Sequence, residues 1–214
     1  MDDGTGLRER KKLRTRHALV EAALELFMEK GYEQTTVSEI AAAADVSTRT
    51  FFSYFASKED VIFHNAREGI DRALTVLAEA APGERAADLL GRVLATGFAA
   101  IEPDDRIRRE IAPINHLTLT VPSLRARGLL LLFDVQRELA EALHRACPDE
   151  LNLTEASAAV GAVIGGAKLA AFVRMSHGAS AEEMLRAGRE AAEFALAALR
   201  AAPPASRPSG SPAP

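Results

Sequence analysis

The chain has 214 residues, of which 48% are hydrophobic and 26% are charged, an ordinary composition for a globular protein. No uninterrupted run of about eighteen apolar residues predicts a membrane span, and the first residues lack the apolar segment of a secretory signal. Cys147 is the single cysteine, which excludes an intrachain disulfide and a multi-cysteine metal site. We therefore expect a cytoplasmic protein that holds neither a metal nor an organic cofactor.

The formal net charge of −4 is unevenly distributed along the chain. The first sixteen residues carry three acidic side chains and six basic ones, which are Arg8, Arg10, Lys11, Lys12, Arg14 and Arg16. A basic arm on an otherwise acidic body indicates a local surface for an anionic partner. The charge run by itself is equally compatible with a solvated beginning of a helix.

Helical periodicity extends over almost the whole chain. Between Leu13 and Met28 the apolar residues recur at helical spacing, and Gly31 follows as a helix C-cap. Pro122 can open a long helix that reaches Ala146. Further helix starts are predicted at Thr36–Glu39, Ser57–Asp60, Thr154 and Ser180–Glu183, and the run after Thr154 is expected to end near Gly178.

No segment alternates polar and apolar residues between turn signals, so the sequence predicts no sheet. Residues 201–214, AAPPASRPSGSPAP, are rich in proline, serine and alanine and predict a disordered tail. We expect an all-α fold of about nine helices joined by short loops. The predicted breaks are Gly31–Gln34, Asp45–Ser47, Ala56, Pro82–Gly83, Glu102–Pro103, Pro113, Pro148–Asn152 and His177–Ala179.

Residues 35–58, TTVSEIAAAADVSTRTFFSYFASK, are the most informative segment. Two short helices, Val37–Ala44 and Thr48–Tyr54, are separated by three residues, and Ser47 can cap the second one. Alanines at positions 41 to 44 allow two helices to approach closely. The spacing indicates a helix-turn-helix, with a solvated helical corner as the alternative.

The outward side chains of the second helix are suited to DNA. Arginine can donate two hydrogen bonds to guanine, as Arg49 would, and threonine offers a hydroxyl and a methyl group to base edges. Serine and tyrosine hydroxyls and helix N-termini commonly hold phosphates. Lys58 can supply a further phosphate contact at the start of the next helix.

The motifs Thr36-Val-x-Glu-Ile-Ala, Val46-Ser-Thr-Arg-Thr-Phe-Phe-x-Tyr-Phe and Ser57-Lys-Glu-Asp together resemble the DNA-binding domain of the TetR family over residues 13–64. Position 52 is often tyrosine in that family and is Phe52 here, and Ser53 replaces a common histidine. The resemblance implies DNA contacts by Thr36, Ser47, Thr48, Arg49, Thr50, Phe52, Ser53, Tyr54 and Lys58.

A finer resemblance concerns Thr48-Arg-Thr-Phe-Phe and the helix from Pro122. Together they look like an actinobacterial branch related to mycofactocin-associated regulators, which includes an acyl-coenzyme-A-responsive example. The family resemblance implies three regions: residues 1–56 as arm and helix-turn-helix domain, 57–200 as a helical ligand-binding and dimerisation domain, and 201–214 as the tail.

The resemblance also implies a homodimer, and two helical stripes near the end of the chain support one. The stripes could instead face the chain's own core. The candidate interface residues are Ala158, Ala162, Gly165, Leu169, Phe172, Leu185, Ala192 and Leu196.

A small-molecule pocket is implied in the second domain, and its apolar candidates favour a hydrophobic effector. The candidate residues are Leu74, Leu77, Phe98, His116 and Leu119. For each polar residue, surface exposure or a hydrogen bond in the core is the competing explanation. A helix that begins at Ser57 and runs through Ile70 would be the lever connecting ligand and DNA.

The predicted function is a ligand-responsive transcriptional regulator, a repressor released from a palindromic double-stranded operator. An enzyme is the first alternative, but the sequence contains no GxSxG, P-loop, GxGxxG or HExxH motif. The second alternative is a sequence-tolerant DNA binder of the nucleoid type, which competition by unrelated DNA would reveal.

Overall fold

The computed structural model describes residues 3–101 and 105–201, and in these ranges it contains helices and no strand. A π-helical turn, Gly161–Gly165, joins α9 to α10, so the described chain has ten helices if these two count as one. The helices are α1 Asp3–Lys30, α2 Val37–Ala43, α3 Thr48–Phe52, α4 Lys58–Ile62, α5 Ala66–Ala78, α6 Ala86–Ile101, α7 Asp105–Thr120, α8 Pro122–Ala146, α9 Leu153–Val160, α10 Gly166–Ser176 and α11 Ala181–Ala201. The all-α prediction is confirmed.

Most of the predicted helix ends are confirmed by the capping contacts. Gly31 follows α1 with a φ of 95°, a backbone conformation that favours glycine. The Ser180 hydroxyl accepts from the Glu183 N–H, and the Glu183 carboxylate accepts from the Ser180 N–H. The start predicted at Thr154 is displaced, because Asn152 forms a capping box with Glu155 and the helix begins at Leu153.

Two predicted features are wrong. Pro113 lies inside α7 and does not end it, since the buried residues Glu110 and Leu117 hold both sides of the proline in the fold.

The helix predicted to run without a break from Ser57 to Ile70 is interrupted at residues 63–65. There the His64 ring nitrogen Nδ1 lies 2.7 Å from the Val61 carbonyl oxygen, the acceptor that the Asn65 N–H would use in a helix. The predicted break at 102–103 and the tail after 201 lie outside the described residues.

The described chain divides into two compact units. The first contains residues 3–67 and 105–130, so that α7 and the beginning of α8 join the N-terminal helices. Its core is built from side chains of α1 to α4, α7 and α8, among them Leu19, Phe27, Ile40, Phe51 and Leu124.

The second unit contains residues 68–101 and 131–201. Its core includes Leu89, Leu90, Leu143, Val160 and Ala192. The continuous helix Leu153–Ser176 is long and apolar enough to cross a membrane by length and composition alone. Only 22% of its apolar window is buried, so a large apolar face of this helix is not covered by the residues that the structure describes.

Candidate nucleic-acid interface

The turn between α2 and α3 is a Schellman motif, a tight helix ending in which two main-chain N–H groups bond back to the last turn. The Val46 N–H donates to the Ala41 carbonyl at 2.9 Å, and the Asp45 N–H donates to the Ala42 carbonyl at 3.1 Å. Asp45 occupies the left-handed position with a φ of 54°. This ending turns the chain sharply enough for α3 to begin two residues later, at Thr48.

The beginning of α3 is capped and faces solvent. The Ser47 hydroxyl accepts from the Thr50 N–H at 3.1 Å and lies 2.9 Å from the Thr50 hydroxyl. Ser47, Thr48 and Arg49 are exposed, and the Arg49 guanidinium has no hydrogen bond or ion pair to any described residue. A free guanidinium at the exposed first turn of a helix has the reach to bond guanine in a major groove.

Aromatic residues fix the other side of α3. Phe51 is fully buried and packs edge-to-face on Phe52, with ring centres 5.5 Å apart, and also contacts Phe55. Phe52 remains 57% exposed, so it can offer an apolar ring to DNA but no phenolic hydrogen bond. Tyr54 is half-buried against the core. The Ser53 hydroxyl donates to the Thr50 carbonyl at 2.6 Å.

Thr36 begins α2 and is engaged in a capping box. Its hydroxyl and its N–H both donate to the Glu39 carboxylate, and the hydroxyl accepts from the Glu39 N–H. Lys30 at the end of α1 forms an ion pair with the same carboxylate. The hydrogen bond from Lys30, followed by those from Thr36, lowers the pKa of Glu39 to about 2. Thr36, at the N-terminal end of α2, is exposed to solvent.

The Lys58 ammonium is engaged in contacts within the protein and does not extend freely into solvent, as a side chain reserved for a phosphate would. Its ammonium donates to the carbonyl oxygens of Tyr32 at 2.8 Å and Thr35 at 3.3 Å, and lies 4.2 Å from the Tyr32 ring centre. The Tyr32 hydroxyl in turn donates to Glu59 at 2.5 Å. Burial, reinforced by Glu59, raises the pKa of Tyr32. Lys58 therefore holds the turn before α2, a role the sequence analysis did not foresee.

The residues predicted for a dimer interface differ in how much of each is exposed to solvent. Leu169 and Phe172 on α10 are 62% and 43% exposed, although they are large and apolar. Ala192 and Leu196 are buried in the core of the second unit, where they pack against residues of their own chain. Of the remaining candidates, Ala158 and Ala162 are exposed, and Gly165 and Leu185 are half-buried.

An open apolar groove lies on the outer side of the last helices, where α11 meets the π-helical turn and α10. Small residues such as Ala162, Gly166 and Ala195 line it, together with Phe194, which is 80% exposed. Phe194 is not among the residues predicted for the dimer interface. The spacing of Ala191, Phe194, Ala195 and Ala198 on one helix face was the signal that could have identified it.

The candidate ligand residues do not form one described site. Leu74 and Leu77 belong to the core of the second unit, and the burial of Leu77 gives it a packing role. Phe98, in the same unit, lies under the Arg189 guanidinium with the carbon 4.5 Å from the ring centre. In the first unit Leu119 is half-buried and His116 is exposed.

Comparison with known proteins identifies relatives of the N-terminal segment. Residues 19–64 match the model described as bacterial regulatory proteins, tetR family. The HTH-type transcriptional regulator TcmR of Streptomyces glaucescens is 50% identical over 80 residues, which cover 37% of this chain and 35% of TcmR. MftR of Mycobacterium tuberculosis, whose name refers to mycofactocin biosynthesis, is 38% identical over 52 residues, covering 24% of this chain and 26% of MftR. The chain thus spans about a third or less of the length of these relatives, which are regulators and not enzymes.

The fold as a whole is similar to SmeT, the repressor of the Stenotrophomonas maltophilia multidrug efflux pump SmeDEF. The TM-score is 0.54 at 19% identity, with 92% of this chain and 97% of SmeT covered. A complex of SmeT with triclosan gives a TM-score of 0.56 at 20% identity, with 93% of this chain and 99% of that chain covered. At such low identity the likeness shows the fold.

Proposed function

This chain belongs to the tetR family through its N-terminal domain, and we propose that it is a sequence-specific transcriptional regulator that binds a palindromic operator as a homodimer. The observation that carries the proposal is the exposed, capped beginning of α3, where Arg49 projects without a partner among the described residues. A capped N-terminus presents its N–H groups to phosphates while its side chains reach base edges.

The test is a footprint on the DNA upstream of the chain's own gene, followed by binding competition. Arg49→Ala should weaken operator binding by about 1–3 kcal/mol and relax the preference at one base pair of each half-site. Arg145→Ala, at an exposed position of the second unit, is the matched control and should change neither. If the unchanged chain binds operator and unrelated DNA equally, the protein is a sequence-tolerant binder. If Arg49→Ala retains the operator preference, α3 is not the reading helix.

The homodimer is supported by the uncovered apolar surface of the last two helices. Leu169, Phe172, Val173 and Phe194 are each between 43% and 80% exposed, an amount of large apolar surface that monomeric proteins rarely leave in one area. A two-fold axis would place the same face of a second copy against it. Two reading helices would then meet successive major grooves of a palindrome.

Sedimentation of Phe194→Asp tests this surface. A carboxylate in the groove would be desolvated by a partner, so the variant should sediment as a monomer and lose tight operator binding. Met28→Asp, at a similarly exposed apolar position on α1, should remain dimeric. A dimeric Phe194→Asp variant would contradict this interface.

We further propose that the protein is a cytoplasmic repressor released from DNA by a small hydrophobic ligand. The apolar surroundings of Leu74 support such a ligand, and the similarly folded SmeT binds triclosan. A ligand releases DNA only if it binds the DNA-free arrangement more tightly. Triclosan and dodecanoate should therefore be titrated against the operator complex. A probe that binds tightly and leaves operator affinity unchanged would contradict release by that ligand.

A further inference from the structure

The first turns of α1 form a basic segment that the reading helix does not require. α1 has 28 residues, or about 42 Å at 1.5 Å per residue. Its first fully buried side chain among the described residues is Leu19. Residues 10–14 are exposed, including Leu13 at 52%. Residues 8–14, which we call the basic arm, therefore continue the helix without a core to pack against.

The charges of the basic arm repel one another. Arg8 and Lys12 are four residues apart, as are Arg10 and Arg14, so both pairs are neighbours on the helix surface. Like charges at this spacing destabilise a helix. None of these four cations, nor Lys11, has an ion pair with any residue that the structure describes. Binding of a polyanion would reduce this repulsion, which no ion pair in the described part of the chain offsets.

The distribution of these cations favours a nucleic acid over a lipid surface. At 100° per residue, positions 8, 10, 11, 12 and 14 spread over about 200° of the helix circumference and leave a sector of about 160° that contains position 13. A helix that lies in a membrane interface needs a continuous apolar face opposite its cations. Leu13 is the single apolar residue between positions 8 and 14, so the basic arm has no such face.

The C-terminal end of the basic arm is followed closely in the chain by a residue that contacts the end of the helix-turn-helix. The Arg16 guanidinium donates to the His64 carbonyl at 2.7 Å and lies 6.0 Å from the centre of the Phe55 ring. Phe55 follows the last residue of α3 by three positions. Since Arg14 is only two residues, or about 3 Å of helix rise, before Arg16, the basic arm begins close in the chain to the residue that contacts the end of the helix-turn-helix.

We propose that the basic arm binds the phosphate backbone of the DNA that flanks each half-site. This inference rests on the proposed function, because it requires α3 to occupy the neighbouring major groove. The arm adds affinity and footprint length without base selection, since phosphates carry no sequence information. The two arms of a dimer would extend contact to both sides of the operator.

The test compares the full chain with a variant in which the five cations of the basic arm are replaced by glutamine. The matched control removes five exposed arginines of the second unit, Arg72, Arg137, Arg145, Arg174 and Arg186, and so changes the net charge equally. Binding is measured by fluorescence anisotropy at several salt concentrations. One probe is the minimal operator, and the other carries eight additional base pairs on each side.

On the flanked probe the arm variant should bind at least tenfold more weakly and show a log–log salt slope reduced by about 2 to 4, because each arm loses one or two phosphates. On the minimal probe the loss should be smaller, and the operator-to-unrelated ratio should stay constant. Equal slopes for the arm variant and the unchanged chain would overturn the proposal, as would an equal loss in the control. Failure of the unchanged chain to prefer any operator would instead contradict the proposed function.

Discussion

The ammonium nitrogen of Lys58 lies 2.8 Å from the carbonyl oxygen of Tyr32 and 4.2 Å from the centre of the ring of the same residue. The ammonium also donates to the Thr35 carbonyl. Because Thr36 begins α2 immediately afterwards, these contacts fix the direction from which α2 starts. Lys58 thus connects α4 to the turn that positions the helix-turn-helix.

Lys58→Ala should lower the stability of the DNA-free protein by about 1–3 kcal/mol, since hydrogen bonds from a charged donor are lost. Urea unfolding without DNA measures this effect. Lys58→Arg, which retains the charge, should recover part of the stability. If the alanine variant unfolds like the unchanged chain and only its DNA affinity and salt slope fall, Lys58 is a phosphate ligand alone.

The lowered pKa of Glu39 predicts that the stability of the folded protein depends on pH. Its pKa is lowered to about 2 by the hydrogen bonds from Lys30 and Thr36, so its stabilising contribution is present above the ordinary pKa near 4.5 and is lost as the pH falls through about 2. Glu39→Gln should therefore be less stable than the unchanged chain at pH 6, and the difference should vanish towards pH 2.

Thermal unfolding at pH 6, 4 and 2.5 would show this convergence. Glu29→Gln, an exposed change one residue before Lys30, is the control for altered net charge. A stability difference for Glu39→Gln that is constant over the whole range would show that the carboxylate charge of Glu39 is not the cause.

Local signals in the sequence were sufficient for the helix-turn-helix and its caps. Ser47, Thr36 and Gly31 cap helices through groups only three or four residues away. Neighbouring positions in the sequence are therefore enough to predict their roles. The internal contacts of Lys58 and the exposure of Phe194 were not predicted, because their surroundings depend on distant segments. The carbonyls that Lys58 binds lie 26 and 23 residues earlier in the chain, and no local spacing predicts that contact.

The same distinction between local and long-range signals applies to other parts of the chain. Ala192 and Leu196 fit an apolar stripe, but periodicity does not tell whether a stripe faces the chain's own core or a second copy. Pro113 was expected to end a helix on propensity, and tertiary packing on both sides of it overrides that preference. The interruption at His64 depends on which acceptor the ring selects, which only the folded structure reveals.

Asp45 provides a prediction about the turn of the helix-turn-helix. A residue with a β-branched side chain is strained at a φ of 54°, so Asp45→Val should destabilise the protein by about 1–2 kcal/mol. Asp45→Asn should be nearly neutral, because asparagine also tolerates the left-handed conformation. Thermal unfolding of both variants makes the comparison. Equal melting temperatures for the valine and asparagine variants would mean that the turn is not constrained as described.

His64 and Glu110 form a buried polar pair in the first unit. The Nε2 atom of His64 lies 3.3 Å from Glu110 Oε2, and their side chains are 1% and 7% exposed. His64 Nδ1 faces the Val61 carbonyl at 2.7 Å. A carbonyl oxygen only accepts, so Nδ1 carries a hydrogen.

Glu110→Leu removes that partner and leaves a buried nitrogen facing an apolar side chain, so it should destabilise the protein by about 1–3 kcal/mol. Glu110→Gln can donate its amide N–H to Nε2 and should cost less. The double variant His64→Phe with Glu110→Leu removes both polar groups and should be more stable than Glu110→Leu alone. Urea unfolding of the single and double variants at one pH gives the coupling between the two positions. If the effects of His64→Phe and Glu110→Leu simply add, the two residues do not interact.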